Sequence, residues 1–311
     1  MNNKNIILNI EASNYSKIAR ETLEKYCNYY ESTWDTLDNQ IAEQTTILIV
    51  RLEKYIDKNV LNKFKNLKII ISATTGVDHI DINYIKKNKI KLLSLRGEED
   101  FLKSIPSTAE HTWALLMSLI RNIPSANNSV KENLWNRDLY RGYQLKNKTI
   151  GIIGLGRTGL MVAHYAIAFE MNIIYYDPFV LNKSFKKVEN LNALIENSDI
   201  ITIHVHLNKS TINLLNTNLN KIKLGAYLIN TSRGRILNEK IAVSLLKKGI
   251  IKGIASDVLS TELVDIKKSP LFNAFIENEN IIITPHIGGA TFDAMHQTEE
   301  FMATKLIKYI K

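Results

Sequence analysis

The sequence predicts an α/β chain built on doubly wound parallel sheets, and three observations carry that expectation. Short apolar, β-branched runs alternate with helix-like segments through the N-terminal third and again from residue 149 onward. A glycine turn, GLGRTG at 154–159, joins a strand-like run to a helix-like one. Arg233, Glu262 and His286 each stand just past an apolar run. In an open parallel sheet such positions gather at the carboxyl ends of the strands.

In order along the chain, the first strands are expected at 6–10, 47–50, 68–72 and 91–95. A helix is expected from Ser107, because Ser107 and Glu110 have capping-box spacing and Pro106 precedes them. The run 112–120 is apolar nearly all round, which reads as a buried helix ended by Pro124. Further strands are expected at 149–153, 172–176, 200–204, 226–230, 253–256 and 280–284. Helices fall at 156–169 and 239–248, and 291–310 closes the chain.

Bulk properties narrow the class. A chain of 311 residues can bury a full core and suggests two domains. The balance of 45% hydrophobic and 23% charged residues is ordinary for a globular protein. No apolar run reaches the roughly 18 residues a membrane span needs. The start, MNNKNIILNIEASN, reads as a first strand and not as a signal peptide. The one cysteine, Cys27, has no internal disulfide partner, which suggests a reducing cytoplasm. The net charge of +9 is read as a lysine-rich solvated surface. Basic pairs such as Lys86-Lys87 and Lys186-Lys187 are short and lack interleaved aromatics, so no nucleic-acid partner is expected.

The glycine turn has the context of a dinucleotide site. Gly154 permits the tight turn, Gly156 lets backbone approach a pyrophosphate, and Gly159 lets helix and strand pack closely. The helix start offers free N–H groups to phosphates. Arg157 and Thr158 can add side-chain contacts. Asp177 ends the next strand about 20 positions on, where a carboxylate binds ribose hydroxyls and repels a 2′-phosphate. NAD is therefore expected over NADP. The plainer reading of Asp177 is a turn cap beside Pro178. His204 and His206 share a strand face without a third ligand, so no metal is expected. His204 and Thr231 are carried instead as cofactor-side candidates. His111 and His164 read as packing or surface residues, although His111 lies in a helix expected near the cleft.

At this point eight blocks match a known family. They are TGVDHID (75–81), STAEHTWALL (107–116), the Trp135 and Arg137 pair, KTIGIIGLGRTG (148–159), SDIITIHVHL (198–207), NTSRGRILNE (230–239), ASDVLSTE (255–262) and TPHIGGAT (284–291). The chain resembles the D-isomer-specific 2-hydroxyacid dehydrogenases over most of its length from about residue 47 onward. The resemblance implies a Rossmann-type NAD domain, residues 104–284, inserted into a smaller flavodoxin-like substrate domain, residues 1–103 and 285–311. It implies a homodimer acting on a small 2-hydroxy or 2-oxo acid. It assigns catalysis to Arg233, Glu262 and His286. Backbone around Thr75 and Gly76 resembles the family's carboxylate cradle, with Arg233 as the second substrate contact. Asp257 resembles the residue that binds the nicotinamide carboxamide.

Three departures bear on the substrate. Leu263 stands where the family has proline after the acid. The stretch 96–105, RGEEDFLKSI, replaces a small-residue, asparagine-containing segment and is expected to touch substrate or shape the hinge. Ser72 stands where phosphoglycerate dehydrogenases often have arginine, leaving Arg51 as the candidate phosphate contact. No regulatory domain is expected after the core. The alternatives are 3-phosphoglycerate oxidation and, from another class, a dinucleotide-sensing binding protein like the co-repressors that share the fold. A formate-type activity is disfavoured, since that branch carries glutamine at the Glu262 position.

Overall fold

The computed structural model describes residues 5–277 and 280–311. The chain divides into two compact units, Met1–Leu102 with Ala290–Lys311, and Lys103–Gly289.

The smaller unit holds five strands: β1 (Ile6–Asn9), β2 (Asn28–Glu31), β3 (Ile47–Val50), β4 (Ile69–Ser72) and β5 (Lys91–Ser94). All pair in parallel in the order β2-β1-β3-β4-β5, which is the flavodoxin-like order. Every residue of β3 and β4 is buried, as strands covered on both faces require. β2, NYYE, is a polar edge strand and shows no apolar run to mark it. Ser16, Asp38, Asp57 and Asp81 start four helices by accepting a backbone N–H three residues on. The last helix, Phe292–Ile310, packs back here. Its Glu299 accepts from Ser16 N at 2.7 Å, and its Lys305 Nζ donates to Ser94 O at 2.8 Å and Glu98 Oε1 at 2.6 Å. Phe301 stacks on Phe101 at 4.1 Å, so part of the stretch 96–105 is anchored to this helix.

The larger unit holds β6 (Thr149–Ile153), β7 (Asn172–Tyr176), β8 (Lys186–Lys187), β9 (Ile200–Ile203), β10 (Ala226–Asn230), β11 (Ile251–Ser256) and β12 (Ile281–Ile283). The all-parallel order is β12-β11-β10-β9-β6-β7-β8. That is the Rossmann order with one strand added beyond the sixth, and its switch point lies between β6 and β9. Alternate residues of β10 feed opposite faces: Ala226 and Leu228 join one core, Tyr227 and Ile229 the other. The helices Ser107–Ile120 and Arg157–Ala168 cover the second face with Trp113, Leu116, Val162 and Ala166.

Several expectations change. Ser107 is the first helical residue, Pro106 occupies the cap, and no side-chain cap bond forms. The Ser107 hydroxyl is buried with no hydrogen-bond partner among the described residues. The helix ends at Ile120, and Asn122 breaks it with a left-handed φ of 54°. Pro124 instead lies in the first turn of the next helix, Ile123–Lys131, where a missing N–H costs nothing. The division between units falls after Gly289, so the His286 turn lies in the larger unit, hydrogen-bonded to Asp257. Part of the expected strand at 280–284 reaches only Ile281–Ile283.

Since Ser107 caps nothing, Ser107→Ala should change the unfolding free energy by less than about 0.5 kcal/mol, against the ~1 kcal/mol typical of a lost N-cap. Urea denaturation reads this directly, and a loss above that cap value would restore the capping role.

Candidate active site

Each glycine of the 154–159 turn answers to a different constraint. Gly154 has φ +89°, and a Cβ there would lie 2.7 Å from His204 O. A Cβ on Gly159 would lie 2.1 Å from Gly154 O, so this glycine lets the helix close on the turn. A Cβ on Gly156 would meet nothing within 4 Å. Its φ of −71° suits any residue. The fold itself does not call for glycine at 156, whereas close approach of a pyrophosphate to the helix start does. The turn therefore fits a dinucleotide.

Asp177 serves the same turn. Its Oδ2 accepts from Leu155 N at 2.9 Å, and its Oδ1 accepts from Phe179 N at 2.8 Å and Val180 N at 3.0 Å. The turn-cap reading is thus realised, and the carboxylate also grips the glycine loop. Three accepted bonds leave lone-pair capacity for a ribose hydroxyl. Arg157 donates to Ile105 O at 2.8 Å, and burial lowers its pKa. His204 Nε2 lies 2.8 Å from Thr202 Oγ1, and burial pushes its imidazole well below the ordinary value, which keeps it neutral. Among the described residues no cluster of three or more His, Cys, Asp or Glu is placed to hold a metal ion.

The polar trio is linked through loop contacts. Arg233 follows β10 and precedes Gly234, whose missing side chain matters: a Cβ would lie 2.0 Å from the Leu259 carbonyl carbon. The Arg233 loop thereby lies against the backbone leading to Glu262. Glu262 splits its oxygens, Oε2 accepting from Leu259 N at 3.0 Å and Oε1 lying 2.9 Å from His286 Nδ1. That pairing sets the imidazole's orientation and leaves Nε2 as its other face. Despite Leu263, the following loop is ordered by Thr261, whose hydroxyl donates to Asp265 O at 2.8 Å.

His286 has a left-handed backbone, φ 56°. Such a conformation costs a non-glycine residue about 1–3 kcal/mol and persists where its surroundings over-determine it. Asp257 is that surrounding. Its backbone O accepts from His286 N at 2.9 Å, Oδ1 accepts from Ile287 N at 2.8 Å and Oδ2 from Gly288 N at 2.7 Å. Thr284 Oγ1 donates to Oδ1 at 2.6 Å, and His111 Nε2 lies 3.2 Å from it. Burial alone would raise the Asp257 carboxyl. Hydrogen bonds from His111, Thr284 and the two amides outweigh it and hold the group below the ordinary value. His111, read from sequence as packing or surface, therefore belongs to this network. Its signal in the sequence was the shared block context of 107–116 and 284–291, and nothing in its own helix.

Thr158 lies in the first turn of the helix Arg157–Ala168, and Thr231 is buried just after β10, its hydroxyl 2.7 Å from that of Thr112; the other candidates lie in the smaller unit. Thr75 and Gly76 sit half-buried beyond the end of β4, in a loop where Thr74 Oγ1 donates to Gly76 O at 2.7 Å. Ser72 is fully buried and pairs with Thr74 at 2.8 Å. Arg51 does not stand ready for a phosphate: it forms an ion pair with the buried Glu299 and donates to Ser13 O at 2.8 Å.

A glycine turn at the switch point of a Rossmann-ordered sheet, with a carboxylate ending the second strand, defines a dinucleotide-binding protein. Residues 113–288 match the family described as D-isomer specific 2-hydroxyacid dehydrogenase, NAD binding domain. The chain is 36% identical over 269 residues to the D-3-phosphoglycerate dehydrogenase of Bacillus subtilis, covering 85% of this chain and 49% of that one. It is 33% identical over 290 residues to the glyoxylate reductase of Thermofilum pendens, covering 89% and 81%. A D-lactate dehydrogenase structure from Aquifex aeolicus, complexed with NAD and lactic acid, superposes with a TM-score of 0.83 at 25% identity, covering 98% and 95%. The chain belongs to the D-isomer-specific 2-hydroxyacid dehydrogenase family and carries its NAD-binding domain. It spans about half the length of the 3-phosphoglycerate dehydrogenases it matches.

The glycines give a paired test. Gly159→Ala should cost about 1–3 kcal/mol of stability by overpacking, read by chemical denaturation. Gly156→Ala should leave stability intact and weaken NADH binding, read by fluorescence titration. Undiminished NADH affinity in Gly156→Ala would remove the pyrophosphate from that position.

Proposed function

We propose that this protein is an NAD-dependent oxidoreductase that interconverts a D-2-hydroxy acid and its 2-oxo acid. The observation that carries the reading is the His286–Glu262 pair, 2.9 Å apart on the turn after the last strand of the cofactor sheet. A paired imidazole is the natural proton carrier for a step in which a hydroxyl becomes a carbonyl. NAD, when bound, takes or supplies the hydride.

The residues divide the rest of the work. His286 accepts the hydroxyl proton in oxidation and returns it in reduction. Oxidation uses the imidazole as proton acceptor and reduction uses it as proton donor. Glu262 orients the ring through Nδ1. Arg233 holds the substrate carboxylate and polarises the carbonyl oxygen with its fork of donors. Backbone amides around Thr75 and Gly76 cradle the carboxylate, and Asp257 receives the nicotinamide carboxamide. Gly154, Gly156, Arg157, Thr158 and Gly159 take the pyrophosphate, Asp177 the ribose, and His204 and Thr231 line the cofactor side. In this reading 3-phosphoglycerate chemistry ranks second. The relatives of that name support it, while the engagement of Arg51 by Glu299 speaks against a phosphate contact there.

The functional unit proposed is a cytoplasmic homodimer. Leu134, Trp135 and Leu139 are apolar and exposed, Trp135 by 89%, as an interface between copies would require. The lone cysteine, Cys27, is buried and has no second cysteine in the sequence with which to form a disulfide, as in a reducing compartment. No helix among the described residues is long and apolar enough to cross a membrane.

Turnover of NADH with a panel of 2-oxo acids, including glyoxylate, pyruvate, hydroxypyruvate and its 3-phosphate, tests the activity and ranks the substrates. Silence across the panel with intact NADH binding would favour the dinucleotide-sensing alternative. On the best substrate, His286→Ala should lower kcat by about 10²–10⁴-fold, the usual range for a general acid–base group, with NADH binding retained. A variant keeping most of its kcat would take His286 out of the mechanism.

The cofactor preference has its own test. NADH should bind more tightly than NADPH, since an added 2′-phosphate meets the Asp177 carboxylate. Asp177→Asn keeps one acceptor for the glycine loop and removes the charge, so it should narrow the gap. Equal affinities in the unaltered protein would refute the assignment.

A further inference from the structure

The helix Ser107–Ile120 meets both loops that carry the proposed catalytic side chains, and does so with consecutive residues. His111 Nε2 lies 3.0 Å from Thr284 Oγ1 and 3.2 Å from Asp257 Oδ1. Thr112 pairs its hydroxyl with Thr231 Oγ1 at 2.7 Å, two positions before Arg233. On the same helix face, a Cβ at Gly288 would lie 3.5 Å from His111 Cδ2 and 3.6 Å from Thr108 Cγ2.

Proton accounting assigns the His111 tautomer. Thr284 has one hydroxyl proton, and the 2.6 Å contact directs it to Asp257. Thr284 Oγ1 is then an acceptor toward His111, and the Asp257 carboxylate is an acceptor throughout. His111 Nε2 must therefore carry a proton, shared between the two oxygens. Asp257 is 2% exposed and the His111 side chain 17%, so water is a poor substitute for this donor.

We propose that His111 is a positioning residue for His286. Its Nε2–H completes the donors that hold the Asp257 carboxylate, and Asp257 in turn fixes the turn that presents His286 to Glu262. The inference rests on the reading of His286 as the proton carrier. A mere core histidine would satisfy packing alone. His111 instead bonds the one buried acid that accepts from Ile287 N and Gly288 N, on a turn whose left-handed His286 depends on such restraint.

The test compares His111→Leu with His111→Gln in the full chain. Leucine fills similar space without a donor, whereas the glutamine amide can donate to the same oxygens. With the best 2-oxo acid and saturating NADH, His111→Leu should lower kcat by about 10- to 100-fold, the scale of a displaced catalytic group. His111→Gln should recover most of that loss. The ¹⁵N shifts of the His286 imidazole, which report its tautomer and its bond to Glu262, should change in the leucine variant and return in the glutamine variant. This arm needs no turnover, so it judges the brace even if no 2-oxo acid is a substrate and the proposed activity falls. Unchanged His286 shifts in a folded His111→Leu protein would overturn the inference. So would equal kcat losses in the leucine and glutamine variants, which mark a packing role. Should the leucine variant fail to fold, Thr284→Val removes a neighbouring donor to Asp257 and should move the same His286 shifts.

Discussion

A single buried carboxylate organises the carboxyl end of the larger unit's sheet. Asp257 takes one side-chain donor, His111, from a helix, and takes Thr284 Oγ1 and the amides of Ile287 and Gly288 from one turn, while its own carbonyl takes the amide of His286. Each bond is modest by itself, roughly 0.5–1.5 kcal/mol net, and somewhat more to a charged acceptor. Their convergence on one side chain is what keeps His286 in a conformation an L-residue avoids. The imidazole can then meet Glu262, itself tethered to Leu259 N. Removing the acid would leave these donors without an acceptor in a dry site, a larger cost than the gain from any one of them.

Close backbone approach is the second constraint, and glycines supply it where loops must touch. Gly234 presses the Arg233 loop on Leu259 and Ser260, Gly159 seats the cofactor helix on the turn, and Gly288 lies 2.9 Å by its virtual Cβ from Asp257 Oδ2. Three loops from different strands are thus locked by contacts too tight for a side chain. The parallel sheet sets their origin, since β6, β10 and β12 all end on one edge of the layer. The placing of the side chains at that edge depends on the packing behind them.

How much of this was legible follows from what kind of burial each residue has. Central strands such as ILIV and AYLIN are covered on both faces, so they stand out as unbroken apolar runs. The edge strands β2 and β8 are polar and exposed, and Lys186-Lys187 reads as a basic pair until its hydrogen bonds to β7 are seen. The glycine turn and the trio were readable because their spacing is local and their contexts specific. His111 was not, because its partner Thr284 lies 173 positions away and helix periodicity carries no information about it. Arg51 misled for the same reason: the acid that claims it lies 248 positions on. Ser107 showed the right spacing for a cap, but Pro106 took the position one residue earlier.

The last helix carries a consequence for biogenesis. The larger unit is one continuous stretch, Lys103–Gly289, and every strand of its sheet is in hand before residue 290 is made. The smaller unit begins first yet closes last. Its Ser16 amide and Arg51 guanidinium wait for Glu299, and its first helix packs on Phe292–Ile310. On a ribosome adding about 5–20 residues per second, that half would spend roughly ten seconds or more with an uncovered flank while its insert folds. The polar β2 edge, exposed throughout, is then a safeguard against pairing with a neighbouring nascent chain.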